Sequence, residues 1–101
     1  MILEIDLQDK SSRFAGLDFA LSALSMEQKM CVSVVNLTHK NLDEATLEKL
    51  RLLETLGLEN IYYVSDPNIE VTHLANALPF KPLSYSEYQN LYSVHDKIIS
   101  F

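Results

Sequence analysis

Only one cysteine, two glycines and eight basic residues occur among the 101 residues of this chain. Each scarcity removes a class of function. The single thiol, Cys31, cannot close an intrachain disulfide, and a secreted domain of this size usually carries several. The expected compartment is the cytoplasm. Gly16 and Gly57 are too few, and wrongly placed, for a Gly-rich turn between a strand and a helix. Both the P-loop and the dinucleotide fingerprint need several glycines there for close backbone approach, so nucleotide binding through either is excluded. Eight dispersed Lys and Arg against fourteen acids give a net charge of −6. Nucleic-acid binding needs clustered cations, and direct binding is not expected. No apolar run approaches the roughly 20 residues that cross a bilayer. The start, Met1-Ile2-Leu3-Glu4-Ile5-Asp6, lacks the basic region of a signal peptide.

What the chain does contain is an alternation of strand and helix patterns. Ile2 to Leu7 alternates, with Leu3, Ile5 and Leu7 on one face and Glu4 and Asp6 on the other. Ser11 or Ser12 offers a cap for a helix reaching about Met26, with Phe14, Leu17, Leu21 and Leu24 on one stripe. Gly16 inside that helix costs roughly 1 kcal/mol relative to alanine, which a close approach to the sheet or to a partner would explain. Cys31 to Val35 is a short β-branched run and reads as a buried strand. Asn41 offers the next cap, with Glu44 as its capping-box partner. Leu42, Ala45, Leu50, Leu53 and Leu56 recur at helical spacing, and Gly57 stands where a left-handed residue ends a helix. Ile61 to Val64 is a third strand, closed by the turn Asp66-Pro67-Asn68.

Residues 68 to 78 read as a short helix or an irregular loop. Phe80 to Leu83 is an edge strand at best, because Pro82 cannot donate to a ladder. Ser84 and Glu87 form a capping box for the last helix, flanked by Leu83 and Tyr88 at staple positions. Asp96 to Phe101 reads as a final strand. Such alternation implies one domain over residues 1–101, of three-layer α/β class. Its sheet is mainly parallel with helices on both faces, flavodoxin-like.

Few residues suggest chemistry. His39, His73 and His95 are scattered; Glu70 with His73 is only half of a zinc site, and no metal or other cofactor is expected. Cys31 and His39 are separated by mostly extended chain spanning roughly 26 Å, which carries the imidazole away from the thiol. A reactive thiol usually sits near a cation or a helix N-terminus. Cys31 at the start of a buried strand reads instead as a small hydrophobe. Alternation in the first strand places Glu4 and Asp6 on a face that meets water, a polar pocket or a partner. Tyr62, Tyr63, Tyr85, Tyr88 and Tyr92 are candidates for a partner-covered surface or for half-buried core.

Three segments in order carry a resemblance. They are Gly16-Leu17-Asp18 with Ala20-Leu21, then Leu52-Leu53-Glu54-Thr55-Leu56-Gly57-Leu58 leading into Ile61-Tyr62-Tyr63-Val64. The third is Leu83-Ser84 followed by His95-Asp96-Lys97-Ile98-Ile99-Ser100-Phe101. Together they resemble the TusC/DsrF branch of the DsrE-like sulfur-relay proteins, over most of the chain from Arg13 onward. The resemblance implies a non-catalytic subunit of a cytoplasmic hetero-oligomer with DsrE/TusD-like and DsrH/TusB-like partners. Persulfide sulfur would pass through it toward 2-thiouridine in tRNA or in sulfur oxidation. In this family the carrier cysteine belongs to the DsrE/TusD-like subunit, and Cys31 matches no carrier position. Two alternatives stand beside this expectation: Cys31 itself accepts sulfane sulfur, or the chain is a free-standing interaction or regulatory domain of the same fold.

Overall fold

The computed structural model describes residues 1–64 and 79–101. Its elements are β1 (Ile2–Asp6), α1 (Lys10–Ser25), β2 (Cys31–Val35), a 3₁₀ turn (His39–Asn41) and α2 (Glu44–Thr55). They are followed by β3 (Ile61–Val64), β4 (Phe80–Leu83), α3 (Tyr85–Ser93) and β5 (Ile98–Ser100). The strands form one sheet in the order β4-β3-β2-β1-β5, and every neighbouring pair is parallel. This is the three-layer α/β class expected. The first four strands advance in one direction across the sheet, and β5 returns to the far side of β1. Pro82 lies on the edge strand β4, where a missing N–H costs no interior ladder bond.

Strand alternation sorts the two faces. Leu3 and Ile5 of β1, Val32 and Val34 of β2, and Ile61 and Tyr63 of β3 share one face with Leu17 and Ala20 of α1 and Leu50 and Leu53 of α2. Burying an aliphatic side chain of this size is worth roughly 1.5–3 kcal/mol, so this face holds the main core. Gly16 is at its centre. A Cβ there would lie 2.8 Å from Ile5 Cγ1 and 3.1 Å from Phe101 Cβ. The helix passes too close to β1 and the C-terminal residue for any side chain. The opposite face carries Glu4, Ser33 and Tyr62 in register and is covered by α3, none of whose residues is fully buried.

Two helix starts differ from the sequence reading. The α1 cap is Asp9, not Ser11 or Ser12; Ser12 Oγ instead donates to Asp9 Oδ2 at 2.9 Å. The buried stripe is rotated accordingly to Arg13, Gly16, Leu17, Ala20 and Ala23. For α2 the cap is Asp43, whose carboxylate accepts from Thr46 N at 2.8 Å, while Asn41 ends the 3₁₀ turn. Arg13 explains the choice. Only 5% exposed, it donates to Leu7 O at 3.1 Å and Asn41 O at 2.8 Å, and its Nη2 lies 3.2 Å from Asp43 Oδ2. A buried guanidinium must be paired, and Asp43 is the carboxylate in reach.

Gly57 has φ +103 after α2, the expected left-handed position. The Ser84–Glu87 capping box of α3 is present in both directions, at 3.2 and 3.1 Å. The turn at Asp66-Pro67-Asn68, the reading of 68 to 78 and the Glu70–His73 pair lie outside the described residues.

Candidate functional site

The residue that comes to Cys31 is His95. Cys31 Sγ lies 3.7 Å from His95 Nε2, and the other ring nitrogen, Nδ1, is 3.5 Å from the Met1 amino group. Topology produces this pairing. In the parallel ladder Ile2 stands opposite Cys31 on one side and Ile98 on the other. The start of β2 and the residues just before β5 therefore flank the start of β1. His95 follows Val94, the C-cap of α3, and so arrives at the amino edge of the sheet beside the thiol. His39 begins the 3₁₀ turn beyond the carboxyl end of β2, away from Cys31 as expected.

Cys31 is half-buried rather than enclosed. It lines an open pocket of about 530 Å³ formed with the loops that enter β2 and β3. Leu24, Met30 and Leu58 supply an apolar wall, and Gln28, Lys29 and Asn60 supply polar groups. Strand placement at Cys31 was legible from sequence, whereas the partial exposure and the imidazole were not. A usable signal existed: a last strand that returns beside β1 brings whatever precedes it to the start of β1 and β2.

A second polar cluster lies on the α3 face. Tyr92 donates its hydroxyl to Glu4 Oε2 at 2.8 Å, and the Tyr88 and Tyr92 rings stack at 4.3 Å between centroids. Burial pushes both phenols above their ordinary value, and the nearby Glu4 carboxylate adds to that. Ser33 Oγ, fully buried on the strand next to Glu4, has no hydrogen-bond partner among the described residues. Glu4 thus meets a helix hydroxyl. Asp6 accepts from Asn36 Nδ2 at 2.8 Å and from Gln8 N at 2.9 Å, bonds that hold its carboxyl below the usual value.

Of the five tyrosines, Tyr63 is core, Tyr62, Tyr88 and Tyr92 are half-buried, and Tyr85 is exposed. Among the described residues no three His, Cys, Asp or Glu side chains converge on a common point. No helix among them is long and apolar enough to cross a membrane.

The fold and these clusters define an all-parallel α/β domain with a thiol–imidazole pair at the amino edge of its sheet. No protein-family model matches the chain, and a search of curated proteins likewise returns no match.

Proposed function

We propose that this chain is a non-catalytic subunit of a cytoplasmic sulfur-relay assembly of the TusC/DsrF kind. It would support persulfide transfer toward tRNA 2-thiouridine or in sulfur oxidation, with DsrE/TusD-like and DsrH/TusB-like partners. The observation that carries the reading is the junction of Gly16, Ile5 and Phe101. Gly16 and Phe101 belong to the first and last of the three segments that bear the resemblance, and they meet through β1. Those residues pack against one another in the fold.

Exposed apolar side chains support a subunit role. Phe19 beside Phe101, Leu52 on α2 and Leu56 at its C-cap, and Val94 and Ile98 at the β5 edge are all exposed. Apolar surface of this kind suits coverage by another chain. Sulfur carriage in this reading falls to a cysteine of the partner.

Co-expression with DsrE-like and DsrH-like subunits, capture through a tag on this chain and native mass measurement test the reading. A stable hetero-oligomer containing all three is expected. A chain recovered only as a monomer, under conditions where the other two assemble with each other, contradicts it.

A further inference from the structure

We infer that Cys31 and His95 form a thiol modification site, which takes small disulfides bearing carboxylate and amide groups as mixed disulfides. The site is independent of the relay reading, because it uses no partner residue and no carried sulfur.

Three observations carry it. First, Sγ and Nε2 are 3.7 Å apart, within reach of a sulfur hydrogen bond, and with Nδ1 accepting from the Met1 ammonium at 3.5 Å the ring carries its hydrogen on Nε2, placed to donate to the sulfur. Second, the thiol is half-exposed and opens into a pocket of about 530 Å³, room for a tripeptide-sized thiol compound rather than for solvent alone. Third, Lys29, Gln28 and Asn60 line that pocket beside Cys31. An ammonium and two amides match carboxylate and peptide groups. Glu27 and Glu59 also line it, and they disfavour a ligand that is acidic throughout.

The exchange balances without an added oxidant, since the disulfide is the oxidant. Cys31 loses its proton to solvent, and its thiolate, accepting from His95 Nε2–H, attacks one sulfur of R–S–S–R. A Sγ–S bond forms and the S–S bond of the reagent breaks. The departing thiolate takes a proton from solvent and leaves as R–SH. One disulfide is consumed, one is made, and the chain retains a covalent S–R group. The charged or titratable groups around the pair are the Met1 amino group at Nδ1, with Glu27, Lys29 and Glu59 around the pocket.

Oxidised glutathione added to the purified chain, followed by intact mass over time, tests the site. One adduct per chain is expected, absent in Cys31→Ser. It should form on the order of tenfold faster than in the same protein unfolded in guanidinium, the gain attributed to the imidazole. His95→Ala should lose that gain while keeping a native circular dichroism spectrum, and free imidazole should restore part of it. A folded rate equal to or below the unfolded rate overturns the proposal and needs no variant. So does wild-type reactivity in folded His95→Ala. Hydroxyethyl disulfide, which lacks carboxylates and amides, should react more slowly; equal rates would overturn the recognition assigned to the pocket.

Discussion

Tyr92 and Glu4 are joined by a 2.8 Å hydrogen bond from phenol to carboxylate, and the bond ties α3 to the first strand. Among the described residues it is a polar link between this face of the sheet and a helix none of whose residues is fully buried. Tyr92→Phe deletes the donor, keeps the ring stacked on Tyr88 and leaves the half-buried carboxylate without this partner. A loss of about 1 kcal/mol is expected, with Glu4→Gln costing less because an acceptor remains. Urea unfolding of both single variants and the double variant measures the coupling. Strictly additive losses would remove the bond from the account.

Gly16→Ala should destabilise the domain although alanine is the better helix former by roughly 1 kcal/mol. Its Cβ would be 2.8 Å from Ile5 Cγ1 and 3.1 Å from Phe101 Cβ, and Ile5 is fully buried with little freedom to retreat. Overpacking of this kind costs about 1–3 kcal/mol, so the net loss should be about 1 kcal/mol. Ile5→Val in the same chain should recover part of it. A more stable Gly16→Ala protein would mean that α1 does not approach β1 this closely.

Arg13 holds three segments at once: the end of β1, the 3₁₀ turn and the cap of α2. Arg13→Met leaves the carbonyls of Leu7 and Asn41 without that donor, and a loss of about 2–3 kcal/mol is expected. Asp43→Ala loses the cap and one partner of a guanidinium that retains its carbonyls, and should cost less, about 1 kcal/mol. Denaturation midpoints of the two variants give the order directly. The reverse order would show the cap, not the guanidinium, to be the stronger element.

Acid should destabilise the fold. Hydrogen bonds from Asn36 and Gln8 to Asp6, from Thr46 to Asp43 and from Ser84 to Glu87 hold these carboxyls below their ordinary values of 3.8 and 4.5. The unfolded chain then binds more protons than the folded one in the acid range, so stability rises with pH there. The contribution is complete above the ordinary carboxyl values and disappears as pH falls through the lower folded ones. Urea midpoints measured from neutral pH down to about pH 3 should fall most steeply at the acid end. Asp6→Asn with Glu87→Gln should flatten that fall. An unchanged slope would show that these bonds do not persist in solution.

How much of this was legible in the sequence depends on the range of the interaction. Alternation at Leu3, Ile5 and Leu7, the Ser84–Glu87 box and the left-handed Gly57 are local, and each appears where its pattern placed it. The caps at Asp9 and Asp43 were missed because several residues near each start can cap, and the buried Arg13 selects Asp43 through a contact 30 residues away. His95 was missed for the same kind of reason. Its partner is 64 residues distant, and the two meet only because β5 returns beside β1. Periodicity assigns a side chain to a face, but the order of strands decides which residues share an edge.

Sulfur transfer in a reconstituted assembly tests the central claim most directly. Labelled persulfide sulfur would be loaded on the cysteine of a DsrE-like partner and followed to its acceptor with and without this chain. Transfer should depend on the chain and proceed equally with wild type and Cys31→Ser if, as proposed, the subunit shapes the assembly and does not carry the sulfur. Equal transfer without the chain, or transfer abolished by Cys31→Ser, would contradict that claim.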